Sequence, residues 1–397
     1  MTLRRFIQIG DLHLGSHARN QDRLEALTQV IQEQAPGTVS AWLFPGDLNH
    51  GRMTIPDKNA LTNAVQSMAS HAPVVICDGN HDLPGDLQFL SRLKADWPIY
   101  VVSRPEVIHV KLAAGGGAAA IFVLPYPTRA GLVAAGTAPG DVADMAKLAL
   151  KAIFLDAAER LRRLTAFDCV PLVIGHVNVA GSITSTGQPN IGKEIEVDEA
   201  LLQLFPHMFI GLNHIHKAQE ISGAVYAGSI CRLDWSETDP KSYLEITYGP
   251  SNWGGYAGDG PWGGCSQYAY DWCRKPVDVP PMYLIEGELT REGFVFPTEL
   301  TADGRPVSYV GADVRVRFRF TAIEKDLLNF DLVRQPFAGA RRLELDPVAI
   351  RDRATRAPEV MSATSLDQKL KAYIEANGQT WTTAIEEKLT ELQRPTS

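Results

Sequence analysis

Phe6-Ile-Gln-Ile-Gly-Asp-Leu-His13 is a short apolar run closed by a glycine and then by two metal-binding side chains spaced i, i+2. Working outward, the same design recurs. Trp42-Leu-Phe-Pro-Gly leads to Asp47, and Val74-Val-Ile-Cys-Asp-Gly leads to Asn80-His81-Asp82. Pro171-Leu-Val-Ile-Gly leads to His176, and Met208-Phe-Ile-Gly-Leu-Asn leads to His214-Ile-His216. Short apolar runs of this kind read as strands buried on both faces. Amphipathic stretches lie between them: Arg23 to Gln34, Asn59 to His71, and a long one from Val142 to about Leu164. Strand–helix alternation predicts an α/β sheet packed by helices, with ligand sites at the carboxyl ends of the strands. Glycine at 10, 46, 79 and 175 fits chain reversals at those ends, where positive φ or close backbone approach is needed.

The chain has 397 residues, 45% of them apolar, 21% charged, with a net charge of −8. That length predicts two or three domains and a large core, and the composition excludes whole-chain disorder, collagen and coiled coil. No stretch of about 18 uncharged apolar residues predicts a membrane helix. Asp11 arrives too early for a signal-peptide apolar region, so a cytoplasmic location is expected. Five scattered cysteines with no Cys-x-x-Cys argue against a disulfide framework or a thiolate site. Overall acidity speaks against nucleic acid, but the charge is uneven. From Asp313 to Arg356 there are ten Lys/Arg and seven Asp/Glu.

The strand-end residues carry the chemistry. Two carboxylates, one amide oxygen and four imidazoles oversupply one ion and suit two that share a carboxylate. Mixed nitrogen and oxygen donors without thiolate suit Mn, Fe or Zn. Two dications outweigh Asp11 and Asp47, so the loaded site is positive and receives an anionic phosphodiester despite the acidic chain. Paired metals polarise a phosphoryl group and acidify water. Of the remaining histidines, His17 and His50 are the ones expected to approach the site.

Beyond residue 248 the pattern changes. Gly249 to Pro281, with Trp253, Trp262 and Trp272 among glycines, is too irregular for a helix; it reads as a surface excursion folded on its own aromatics, or a lid or base-stacking surface. After Met282 strands follow, 283–289 and 312–320. In the latter Val314, Val316, Phe318 and Phe320 share one face and Arg315, Arg317 and Arg319 the other, either a solvated face or a surface tracking phosphates. The tail reads as two amphipathic helices, one over 365–378 and one carrying Ile385, Leu389 and Leu392.

Asp11-x-His13, Gly46-Asp47, Gly79-Asn-His-Asp82, Gly175-His176 and His214-x-His216 together resemble the signature of the calcineurin-like metallophosphoesterases. Gly10-Asp-Leu-His-Leu-Gly15, Gly175-His-Val-Asn-Val-Ala-Gly181 and Tyr226-Ala-Gly-Ser-Ile-Cys-Arg-Leu-Asp-Trp-Ser-Glu237 are similar to the SbcD-type nucleases of bacterial double-strand-break repair. The resemblance covers about residues 1–248 closely and the rest loosely, and the 249–281 segment has no counterpart in it. It implies a two-sheet αββα sandwich over 1–300, a smaller α+β DNA-capping domain over 301–360, and partner-binding helices over 361–397. It implies one metal on Asp11, His13, Asp47 and His216, and a second on Asp47, Asn80, His176 and His214. His81 would protonate the leaving oxygen or stabilise the transition state, with Asp82 orienting its imidazole. Mn-dependent cleavage of DNA, exonucleolytic from ends and endonucleolytic on single strands, is implied with it. So are an SMC-like coiled-coil ATPase partner of SbcC type and a homodimer. Two positions depart from the family pattern. Asn49-His50 stands where an acidic residue is usual, and Asn213 stands where glycine precedes the penultimate histidine. Asparagine tolerates a left-handed backbone, which would preserve that turn.

Two other functions fit the same residues. A phosphatase or phosphodiesterase for small substrates would use the same metals but needs no basic C-terminal strand. A non-catalytic DNA-end tether would not need His81.

Overall fold

The computed structural model describes residues 3–15, 19–128, 132, 142–165, 169–185, 194–250, 268–290, 293–297, 306–320, 329–349, 365–376 and 380–392. The chain divides into two units, Met1–Leu284 with Gly311–Asp313, and Ile285–Val310 with Val314–Ser397. The division falls close to Met282, where the sequence pattern changes.

In the first unit the strands are, in chain order, β1 (Arg4–Gln8), β2 (Ala41–Phe44), β3 (Val74–Cys77), β4 (Ile99–Val102), β5 (Glu106–Lys111), β6 (Ala118–Leu124) and β7 (Cys169–His176). They continue with the short pair β8 (Asn178–Val179) and β9 (Glu196–Val197), then β10 (Phe209–Asn213), β11 (Gln219–Ile221), β12 (Ala224–Tyr226), β13 (Ser242–Pro250) and β14 (Tyr268–Pro276). One sheet has the order β14-β13-β1-β2-β3-β4 and the other β11-β12-β10-β7-β6-β5. The strands β1 to β4 are mutually parallel, as are β6, β7, β10 and β12, so the ends that carry the motif residues point one way within each sheet.

Alternation along each strand builds the layers. Phe6, Leu43, Val75, Ile121, Val123, Leu172, Ile174 and Phe209 form the core between the sheets. Their neighbours Ile7, Trp42, Phe44 and Ile76 face the other way, against the helices α1 (Asn20–Gln32) and α2 (Ile55–Ala69). On the second sheet Phe122, Leu124, Val173 and Ile210 pack on α3 (Val142–Thr165) and the short α4 (Glu199–Leu202). The architecture is the αββα sandwich, and burial on both faces is why its strands read as unbroken apolar runs. Tyr248 pins the sheets together. Its hydroxyl donates to Pro171 O (2.8 Å) and accepts from Phe209 N (3.0 Å).

Two local readings shift. The periodicity predicts a helix from Asn59, but α2 begins four residues earlier. Thr54 and Asp57 close a reciprocal capping box there, and a proline sits in the first turn. The Gly/Trp-rich segment is not all excursion. Residues 268–276 form β14, which pairs antiparallel with β13 over nine residues and lays Tyr270 and Trp272 against the inter-sheet core. Residues 251–267, with Trp253 and Trp262, lie outside the described residues, as does His17.

The second unit holds a sheet of order β16-β15-β17-β18, with β15 (Met282–Thr290), β16 (Gly293–Val295), β17 (Asp313–Phe320) and β18 (Arg342–Ala349). Phe294, Phe318 and Phe337 pack on it with α5 (Phe330–Arg334). Val314, Val316 and Phe318 are buried as the alternation predicts. The arginine face is an ion-pair mesh. Arg315 meets Glu344 (3.5 Å), and Arg317 meets Asp346 (2.9 Å) and Glu286 (3.5 Å). The tail forms α6 (Leu366–Ala376) and α7 (Thr383–Leu392). Among the described residues no helix is long and apolar enough to cross a membrane. Cys77, Cys169, Cys231 and Cys273 form no disulfide among the described residues, and the first three are buried.

Candidate metal centre

The chain ends of β1, β2, β3, β7 and β10 meet. Asp47 O accepts from both Leu12 N and His13 N (2.9 Å each), and Leu14 N donates to Leu48 O (2.9 Å), so the segments after β1 and β2 are knitted together. The glycines are required by close approach. A Cβ on Gly79 would lie 2.0 Å from Asp47 Oδ1, and one on Gly10 would lie 1.6 Å from Gly228 O. The ligands themselves bend the backbone. His13, Asp47 and His214 adopt φ of 49°, 53° and 99°. Such angles are rare without glycine and concentrate at functional sites.

Three groups of donors each fit one ion, Asp11/His13/His216, Asp11/Asp47/His176 and His13/His50/His81. His13 Nε2 lies 3.1 Å from His216 Nε2 and 3.4 Å from Asp47 Oδ2. Asp47 Oδ2 lies 3.2 Å from His176 Nε2, which is 2.9 Å from Asn80 Oδ1. Asn80 Oδ1 in turn is 3.0 Å from His214 Nδ1. All seven residues singled out from the sequence therefore surround one small volume, with Asp47 in the middle. Their donors fit a pair of divalent cations. Asp11 Oδ2 is buried with no hydrogen-bond partner among the described residues, an arrangement that is costly for a carboxylate unless a cation takes it. The facing Nε2 atoms of His13 and His216 converge in the same way. Iron, zinc and manganese all accept this donor set.

Electrostatics follow from burial and crowding. Burial above all drives His13 well below its ordinary value. Burial also opposes a charge on His176, but the Asp47 carboxylate outweighs it and raises the imidazole to about 9, while Asp47 is correspondingly lowered. Burial, then the nearby charge of Asp47, pushes Asp82 up to about 7.

Asp82 has a different task from the one the resemblance implies. Its carboxylate does not reach the His81 ring. Oδ2 accepts from Asp47 N and Gly79 N, and Oδ1 from Asn49 N, all at 2.8 Å. It thus holds the turns that carry Asp47 and Asn80. The His81 ring instead stacks on His50 at 4.5 Å and meets His13 edge-on at 4.9 Å. Its backbone N–H donates to Asp47 Oδ1 (2.9 Å). His50, one of the two further histidines expected to approach the site, reaches His13 Nδ1 (3.1 Å) through its own Nδ1. Only its nearness to Asp47 in the chain signals this.

Asn213 does not take the left-handed turn expected of it; that falls on His214. Asn213 is fully buried and clamps the two sheets. Its Nδ2 donates to Ile9 O (3.1 Å), and its Oδ1 accepts from Gln8 Nε2 (3.2 Å). A glycine could not make this link between the strand that leads to Asp11 and the strand that leads to His214.

The fold and this centre are similar to those of a metallophosphoesterase domain. Residues 4–128, which carry Asp11, His13, Asp47, Asn80 and His81, match the model of the family described as calcineurin-like phosphoesterase. A curated relative is the SbcD component of the SbcCD nuclease of Bacillus subtilis (strain 168), 24% identical over 257 residues, which cover 59% of this chain. The chain spans 63% of the length of that relative.

Proposed function

We propose that this chain is a dinuclear-metal DNA nuclease, SbcD-like in its reaction and using Mn. The observation that carries the proposal is Asp47 Oδ2 lying between His13 Nε2 (3.4 Å) and His176 Nε2 (3.2 Å) within a cluster of metal-type donors. The likeness to a nuclease component over 257 residues, well beyond the matched domain, favours DNA as substrate. One position is held by Asp11, His13, Asp47 and His216, and the other by Asp47, Asn80, His176 and His214. Cations bound there supply the charge that polarises a phosphoryl group and acidifies attacking water.

The chain's own groups do the rest. Asp82 fixes the turns, and Asn213 holds the strand ends at a constant separation. Neither ring nitrogen of His81 has a hydrogen-bond partner among the described residues, so the imidazole is open to give a proton to the leaving oxygen. His50 keeps that ring in place by stacking. Arg319 belongs to the proposed DNA-facing side of the second unit, together with Arg315 and Arg317. An SbcC-type SMC-like ATPase is the proposed partner of α6 and α7, in a dimer of this chain that acts in repair or recombination. The reading places the protein in the cytoplasm.

One observation favours a second reading, a phosphodiesterase for small substrates. The acidic partners of Arg315 and Arg317 leave those side chains less charge to offer a phosphate backbone. Full-length protein with Mn2+, assayed on labelled linear, hairpin and single-stranded DNA and on a chromogenic phosphodiester, separates the two. Cleavage of DNA and diester is expected. Diester hydrolysis with intact DNA supports the small-substrate reading, and no hydrolysis of either rejects both.

Metal uptake is expected to depend on pH. Without cations His176 keeps its proton from its ordinary range up to about 9, because Asp47 faces it. A cation on Nε2 must displace that proton, so affinity rises with pH through that range, by up to about tenfold per unit. Calorimetry with Mn2+ in buffers of different ionisation enthalpy should show proton release near pH 7. Affinity that is flat with pH, with no release, would contradict it.

A further inference from the structure

His214 and His216 each turn one ring nitrogen toward the donor cluster and the other toward a carboxylate. His216 Nδ1 lies 2.8 Å from Glu237 Oε1, while its Nε2 faces His13. His214 Nε2 lies 2.9 Å from Glu194 Oε2, while its Nδ1 faces Asn80. Glu237 closes the Tyr226–Glu237 motif, which supplies no ligand of its own.

The two carboxylates differ in their surroundings. The Glu237 side chain is 2% exposed. Its Oε2 accepts from Ser229 Oγ (3.1 Å), Leu233 N (3.2 Å) and Lys241 Nζ (2.5 Å). Lys241 is itself buried and also donates to Ser229 Oγ (2.8 Å). The Glu194 side chain is 33% exposed and therefore screened by water.

Resting on the metal-site reading above, we infer that Glu237 and Glu194 are positioning residues that make the two cation positions unequal. A carboxylate that accepts the outer N–H of an imidazole fixes the tautomer, holds the ring plane and makes the inner nitrogen a stronger donor. Away from water that effect is larger, because the local dielectric is low. Glu237 thus strengthens His216 at the position shared with Asp11, His13 and Asp47. Glu194 supports His214 weakly, at a position that also relies on the neutral, exposed amide of Asn80. The Asp11/His13/His216 position is the tight one. The Asn80/His176/His214 position is loose and exchanges first.

Full-length protein stripped with chelator and titrated with Mn2+, followed by calorimetry and by electron paramagnetic resonance, tests this. The native chain should take two ions in two resolved steps, and Asn80→Ala should weaken only the second. Glu237→Gln should weaken the first step by about 10–100-fold. Glu194→Gln should weaken the second step and leave the first. Glu237→Gln strands the buried Lys241 charge and can cost stability by itself, so Glu237→Gln/Lys241→Met is made alongside it. The double variant should recover the melting temperature of the metal-free protein without recovering the tight step. Recovery of both would show that Glu237 is merely structural and overturn the proposal. So would steps within about twofold of native in both Gln variants, or equal loss at both steps in Glu237→Gln. A native chain that binds no Mn2+ would instead overturn the metal-site reading itself.

Discussion

Asp47→Asn is expected to abolish hydrolysis of phosphodiesters, lowering kcat by at least about 10³-fold, or about 4 kcal/mol at 1.36 kcal/mol per factor of ten. Asn is the right replacement because Asp47 sits at φ 53°, a backbone that Asn accepts and Ala resists. Its main-chain bonds to Leu12, His13 and Asp82 survive the change. What is lost is the charge that faces both His13 Nε2 and His176 Nε2. In the proposed site both cation positions share it, so Mn2+ stoichiometry should fall along with the rate. The metal-free protein should melt within a few degrees of native, on the order of 1 kcal/mol. Activity within tenfold of native, with two ions still bound, would contradict the bridging role.

His81→Ala separates catalysis from metal binding. It should lower the rate on DNA by about 10²–10⁴-fold while both Mn2+ ions still bind. The backbone N–H that donates to Asp47 remains in the variant. The size of the loss should depend on the leaving group. The sugar oxygen of DNA needs a proton as it departs, whereas a nitrophenolate does not. A nitrophenyl diester should therefore be far less affected than DNA. Equal losses on the two substrates would argue that His81 stabilises the phosphoryl group instead of donating a proton.

The site was legible because each candidate donor follows an apolar run. Asp11, His13, Asp47, Asn80, His176, His214 and His216 could be gathered on one side before any contact was known, since parallel strands bring their carboxyl ends together. The glycines at 10 and 79 marked real close approaches. Helix starts were less legible. The Thr54–Asp57 box opens α2 before its apolar stripe begins. The strand β14 was obscured by the glycine-rich residues before it, although Tyr268, Tyr270 and Trp272 alternate as a strand should. The tasks of Asp82 and Asn213 were not legible at all. Asp82 was adjacent to His81 in sequence, yet its oxygens are taken by amides 3, 33 and 35 residues away.

By itself the sequence determined the layered α/β class and which polar side chains stand at the strand ends. Both are written in local periodicity, because a strand buried on two faces must be apolar throughout and can place polar groups only at its end. The tertiary structure alone decided which nitrogen of each histidine faces inward, which carboxylates stand behind His214 and His216, and how Asn213 joins the sheets. It also decided that Arg315 and Arg317 have acidic partners. These are choices among through-space neighbours, such as Gln8 and Asn213, 205 positions apart. No spacing along the chain encodes such a meeting; only the packing of two sheets brings it about.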